Sequence, residues 1–166
     1  MQMKSITEGL RALMYTTAWY ADMANHGPKE NREKYQDLLD LHIPVCKSFG
    51  TDQGFIVASI GIQVLGGAGF TQHFPLEQNA RDQKIGSIYE GTNGIQALDL
   101  VGRKFNSKNG KLLKFLEDEL YWFDHNTPED EIAKWVTEWS NYRNIMFESI
   151  TSLKNIGEIE GKNAYS

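Results

Sequence analysis

The stretch "YEGT" sets a lone carboxylate, Glu90, between the aromatic Tyr89 and the glycine Gly91. A carboxylate can work as a general base where water is kept from it and its proton affinity is raised. The same position has a structural explanation, because an acid just ahead of a helix is stabilised by the helix dipole. Spacing alone favours that structural explanation. Upstream, "GGAG" supplies Gly66, Gly67 and Gly69, a bare backbone of the kind that cradles phosphates. A dinucleotide-binding fingerprint needs a strand in front of it, and none is suggested here, so turn punctuation after a helix accounts for these glycines as well. His26, His42, His73 and His125 form no ligand-spaced pair with one another or with Cys46, and no metal site is expected. The adjacent Arg81 and Asp82 suit local ion pairing around a short helix better than chemistry.

Helices must hold these groups in place. Ile6, Leu10, Leu13, Met14, Thr17, Ala21 and Ala24 fall on one side of a helix, with Tyr15, Trp19 and Met23 as a second apolar line, and "NHGP" should end it. The polar run "KENREKYQD" reads as a connection or the start of the next helix. Leu38, Leu41, Val45, Phe49, Ile56, Ile60 and Val64 continue at helical spacing, which predicts a long helix kinked or restarted near Pro44. Gly50, Gly54 and Gly61 weaken it by about 1 kcal/mol each relative to alanine, so packing must hold it, and a neighbour can come close there.

"GGAGF" breaks that helix, "FPLEQNARDQKI" gives a loop and a short helix, and "YEGTNG" breaks the chain again. Thr92 or Asn93 can then cap the helix "GIQALDLVGRKF". After "NSKNG", one helix buries Leu113, Leu116, Leu120 and Phe123, and another Ile132, Trp135, Val136, Trp139, Met146, Ile150 and Leu153. Thr127 as cap and Pro128 at the first helical position mark the start of the second. The end, "NIGEIEGKNAYS", has little to pack and is expected to fray. Strand-like alternation is scarce, so the expected fold is all-α, an up-and-down helical bundle.

With 166 residues and a hydrophobic fraction of 40%, the chain can bury a core. Its net charge of -5 is spread without a basic stripe, which argues against nucleic-acid binding. The single cysteine rules out an intrachain disulfide, and there is neither a secretory signal nor a strong membrane signal. A cytoplasmic location is the simplest expectation.

The whole stretch from Gln63 to Gln96, with "QVLGGAGF", the pair Arg81 and Asp82, and "IYEGTNGIQ", resembles the C-terminal helical domain of the FAD-dependent acyl-CoA dehydrogenases. The long helix with "KSFGTDQGF" and the trailing "IQALDLVGRK" are most similar to the larger bacterial members, which carry a helical extension after the shared bundle. The resemblance covers residues 4 to 105 well and divides the chain into a bundle over 1–105 and an extension over 106–166. It implies that Glu90 is the base taking the α-proton of an acyl-CoA thioester while the β-hydride passes to FAD, leaving a trans-2-enoyl-CoA. It further implies that the thioester oxygen is held by the backbone N–H of Glu90 and a ribose hydroxyl of the flavin, and oriented donors of this kind are usually the largest catalytic term. Gly91 lies close to substrate, where a side chain would crowd the approach. Gln63, Gly66 and Gly67 match cofactor-binding positions at the adenosine end of a flavin held mainly by a neighbouring subunit, and Thr92 matches one near the pyrophosphate. Gly94, Ala97 and Gly102 depart from the polar or basic residues common along the following helix, with Arg103 shifted by one.

The resemblance also implies a longer parent enzyme with an N-terminal helical domain and a middle β-barrel, of which this chain is the C-terminal part and inactive alone. Such a parent is expected to be a homodimer or homotetramer that passes electrons to an electron-transferring flavoprotein. Two alternatives stand beside it: a non-catalytic helical self-association module that keeps the scaffold, and an acyl-CoA oxidase that passes electrons to oxygen.

Overall fold

A computed structural model describes residues 1–126 and 129–159. Among these residues there is no strand, and the fold is all-α. The chain separates into two compact units, Met1–Leu100 and Val101–Ser166.

The first unit is built on two long helices, α1 (Gln2–His26) and α2 (Arg32–Leu65), joined through a short turn at Lys29–Asn31. Gly27 ends α1 in an extended conformation, and its carbonyl accepts from Arg32 Nε at 2.8 Å, tying the link to the next helix. Cross-contacts fix the direction. Met3 lies near Gly61, the Thr17 hydroxyl is 3.1 Å from Cys46 Sγ, and the Tyr20 ring meets His42 at 5.0 Å, so α1 and α2 run antiparallel. The closed end of this hairpin is aromatic: Tyr20 also stacks on Tyr35 at 6.2 Å, and Trp19 meets Tyr35 edge-on at 5.1 Å. Such pairs add to what their buried area contributes. Tyr20, absent from both apolar lines read in the sequence, is the buried residue of α1, whereas Tyr15 and Trp19 are exposed. A tyrosine can leave an apolar stripe and still reach the core because its ring is large and its hydroxyl can seek a polar partner.

The long helix expected here is present and runs through Pro44 without a restart, with Leu38, Leu41 and Pro44 buried along it. An interior proline removes one backbone bond and costs roughly 3 kcal/mol or more in an isolated helix. Burial of the ring and of its neighbours offsets that cost here. Two residues before the proline, His42 Nδ1 lies 2.7 Å from the Leu38 carbonyl, which can only accept, so the ring carries its proton on Nδ1.

Gly66, at φ 59, ends α2, and the "GAGF" after it forms the single helical turn α3 (Gly67–Phe70) rather than a plain break. Gly69 is required there: an added Cβ would fall 2.7 Å from the Ile62 carbonyl oxygen. The short helix α4 (Leu76–Gly86) packs along α2 through glycines, with Gly61 against Leu76, Gly54 against Gln83, and Gly86 against Thr51. These pairs also run in opposite directions. The small residues weakening α2 in isolation are thus where α4 approaches it, apart from Gly50, which meets nothing within 4 Å. Arg81 pairs with Glu77 at 2.9 Å, so its local partner is one helical turn away rather than next to it. The helix expected over "GIQALDLVGRKF" appears as α5 (Asn93–Leu98) followed by a wider π-type segment at Asp99–Lys104.

In the second unit Lys108, Asn109 and Gly110 all take left-handed φ and lead into α6 (Lys111–Asn126), followed by α7 (Glu129–Ile159). Leu112, Leu113 and Ile150 are buried. So is Arg143, whose guanidinium lies 4.0 Å from the centre of the Tyr121 ring. A cation over an aromatic face replaces the apolar contact that periodicity alone would place there. The inward side of α7 accordingly differs from the expected one: Ile132, Trp135 and Leu153 are exposed. The cap and first-turn proline expected at Thr127 and Pro128 lie outside the described residues. α7 runs on to Ile159, past the start of the expected fraying, and the rest of that stretch, residues 160–166, is also outside the described residues. No helix among the described residues is long and apolar enough to cross a membrane.

Candidate active site

Glu90 sits on the loop between α4 and α5. As α4 unwinds, the N–H groups of Ile88 and Tyr89 both donate to the Ile85 carbonyl, at 3.0 and 3.2 Å. The chain then reverses through two left-handed residues, Glu90 at φ 31 and Gly91 at φ 73. Left-handed φ is routine for glycine but unfavourable for a glutamate, so surrounding structure must impose it at Glu90. The neck of the loop is closed by the Asn93 N–H, which donates to the Ser87 carbonyl at 3.1 Å.

Side chains from the start of α5 hold the loop from below. Thr92 caps α5, its hydroxyl oxygen accepting from the Ile95 N–H at 3.3 Å. Gln96 Nε2 donates to the Gly91 carbonyl at 3.1 Å. Asn93 reaches across to α2: its Oδ1 is 3.2 Å from Lys47 Nζ and 3.2 Å from Thr51 Oγ1, while its Nδ2 donates to the Ser48 carbonyl at 3.3 Å and to Asp52 Oδ1 at 2.9 Å. Thr51 has one hydroxyl proton, and the Lys47 carbonyl at 2.9 Å is its nearer acceptor, so the ammonium is the firmer donor to Asn93. With a cation on the oxygen side and a carboxylate on the nitrogen side, the amide can face only one way.

Glu90 is exposed, and the apolar side chains around it are exposed as well: Ile88 at 62%, Tyr89 at 51% and Ile95 at 54%. A surface of this kind excludes water from the carboxylate once something covers it. Gly91 is held to glycine by its φ, and an added Cβ, 2.8 Å from Gln96 Nε2, would in addition make that side chain shift. Gly91→Ala is therefore expected to cost about 1–2 kcal/mol of stability from the left-handed backbone alone. Urea unfolding reads it, and an unchanged midpoint would count against the loop geometry.

The structure brings Glu90, Gly91 and Thr92 together but places Gln63, Gly66 and Gly67 elsewhere, at the C-terminal end of α2. Asn93 docks no farther along α2 than Asp52, and at about 1.5 Å of rise per residue Gln63 lies about 16 Å beyond it. A ligand touching both clusters has to be long. The Gly66 N–H donates to the Gln63 carbonyl at 3.2 Å, and neither Gly66 nor Gly67 would meet any atom within 4 Å through an added Cβ. Gly67 does not take a left-handed φ either, so nothing within the described residues requires a glycine at that position. A backbone left bare on an open surface suits a group that approaches from outside the chain.

A groove of about 660 Å³ between α1, α2 and α4 is lined by none of Gln63, Gly66, Gly67, Glu90, Gly91 and Thr92, yet Lys47 and Thr51 line it as well as contacting Asn93. Among the described residues no cluster of His, Cys, Asp and Glu could hold a metal. Lys47, Asp52 and the side-chain role of Asn93 escaped sequence reasoning. Local pattern holds no signal for them, because the partners are more than forty positions apart.

Comparison with known proteins gives this geometry a context. The family model for the acyl-CoA dehydrogenase C-terminal domain matches residues 1–104. A 3-methylmercaptopropionyl-CoA dehydrogenase of Ruegeria pomeroyi is 42% identical over 111 residues, which is 67% of this chain and 19% of that protein. A butyryl-CoA dehydrogenase of Syntrophomonas wolfei is 44% identical over 113 residues, 67% of this chain and 18% of its own length. The broad-specificity linear acyl-CoA dehydrogenase FadE5 of Mycobacterium tuberculosis is 39% identical over 127 residues, covering 74% of this chain and 20% of itself. The chain thus spans about a fifth of the length of these relatives. A match that takes in the helical hairpin, the glycine turn and the Glu90 loop together settles the family: the chain belongs to the acyl-CoA dehydrogenases and corresponds to their C-terminal domain.

Proposed function

We propose that this chain is the C-terminal part of an FAD-dependent acyl-CoA dehydrogenase in which Glu90 is the catalytic base. The observation that carries the reading is the left-handed backbone of Glu90, a non-glycine residue held in a strained turn with its carboxylate outward. Strain of that sort is maintained where it positions a working group. The Glu90 carboxylate takes the α-proton of the acyl-CoA thioester, and the C–H electron pair moves toward the thioester carbonyl. FAD, when bound, supplies the acceptor for the β-hydride, so loss of one proton and one hydride leaves a trans-2-enoyl-CoA. The backbone N–H of Glu90 hydrogen-bonds the thioester oxygen as charge builds there, and bare Gly91 lets the thioester come close. Gln63, Gly66 and Gly67 hold the adenosine end of a flavin from a neighbouring subunit, and Thr92 lies by its pyrophosphate. The complete enzyme is a cytoplasmic homodimer or homotetramer of fatty-acid metabolism with an electron-transferring flavoprotein as acceptor.

A second reading, a helical self-association module without catalysis, draws on the exposed apolar side chains of the first unit, among them Tyr15 at 69%, Val64 at 73% and Phe70 at 78%. Mixing acyl-CoA with the complete protein in the absence of oxygen separates the two. Bleaching of the flavin absorbance, followed by turnover with an electron-transferring flavoprotein rather than oxygen, is the expected result. The 166-residue chain alone should neither bind FAD tightly nor turn over acyl-CoA. A complete protein that leaves its flavin oxidised would favour the module, and rapid turnover with oxygen would point to an acyl-CoA oxidase.

A further inference from the structure

Asn93 both closes the Glu90 loop and fastens it to another helix. Its backbone N–H bonds the Ser87 carbonyl at the neck of the loop, and its side chain engages Lys47, Ser48 and Asp52 on α2. Glu90 and Gly91, the residues of this loop with left-handed φ, lie between the bonded ends. The loop itself has no apolar anchor that could replace this latch: Ile88 and Tyr89 are exposed. Asn93 is only partly buried and needs none of these bonds to cap α5, since Thr92 does that.

We propose that Asn93 is a positioning residue for catalysis, holding the Glu90 carboxylate in its reactive direction by tying the loop to the Lys47–Asp52 stretch of α2. This rests on the reading of Glu90 as the base. A tether of this kind acts on the aim of the carboxylate rather than on substrate affinity, and small displacements of a reacting group are costly.

The test uses the complete enzyme. Asn93→Ala should lower kcat by roughly 10- to 100-fold with KM for acyl-CoA little changed. Amide hydrogen exchange should quicken over Tyr89–Gly91 and stay the same in α1. Asp52→Ala, at an exposed position, should give a smaller kcat loss of the same kind, and Asn93→Ala should then cost less in the Asp52→Ala background than in the wild type, since the two share one bond. Should Asn93→Ala fail to fold, the Asp52→Ala kcat and loop exchange decide alone. A wild-type kcat in both variants, or a loss confined to KM, overturns the inference. Glu90→Gln, run alongside, separates the two levels: if it is inactive while Asn93→Ala is fully active, only the positioning role fails, and if it is active the reading of Glu90 fails with it.

Discussion

Glu90→Gln in the complete enzyme is expected to slow flavin reduction by acyl-CoA by roughly 10²- to 10⁴-fold, the range that a positioned acid or base contributes. The amide has the shape of the carboxylate but no basic lone pair to receive the α-proton. The fold should not notice the change, because the bonds that shape the loop come from Ser87, Gly91, Asn93 and Gln96, and the side chain of Glu90 is exposed. Acyl-CoA affinity should therefore persist while chemistry stops. Exchange of the α-proton with deuterated solvent, which needs the base but not hydride transfer, should vanish in parallel. A variant reducing its flavin within tenfold of the wild-type rate would exclude Glu90 as the base.

The largest effect on stability is expected at Leu38, which has no exposed surface and lies on α2 beside the aromatic end of the hairpin. Leu38→Ala removes buried methyl groups and leaves a cavity, a change that costs about 2–5 kcal/mol where the surroundings relax only in part. Its carbonyl, the acceptor for His42, stays in place, so the loss reports side-chain packing alone. Leu98→Ala is the contrast. With 53% of Leu98 exposed, that change should stay within about 0.5 kcal/mol. Urea unfolding of the two variants side by side reads the difference, and a Leu38→Ala midpoint equal to that of Leu98→Ala would place the core elsewhere.

The helical periods of α1 and α2, the breaks at Gly66 and at "YEGT", and the Thr92 cap are all readable in the chain, because each depends on residues within a turn or two of one another. The continuity of α2 through Pro44 is not, since the burial that offsets the proline comes from other parts of the fold. Arg143 shows the same limit in α7. Nothing in its local pattern marks it as buried, and its contact with the facing Tyr121 ring, which helps to make that burial tolerable, exists only in the folded chain. The site divides along the same line. "YEGT" marks Glu90, Gly91 and Thr92 because they are consecutive, whereas the attachment of Asn93 to Lys47 and Asp52 exists only after the chain has folded back.

That attachment also bears on the order in which the molecule assembles. The α1–α2 hairpin closes through a short connection and can form early, since loop-closure entropy rises with the length of chain brought together. Contacts from Asn93 span 41 to 46 positions and have no surface to land on until the middle of α2 is already helical. The shape of the Glu90 loop is then expected to be among the last features the chain acquires, set when Asn93 docks onto a helix that has already formed.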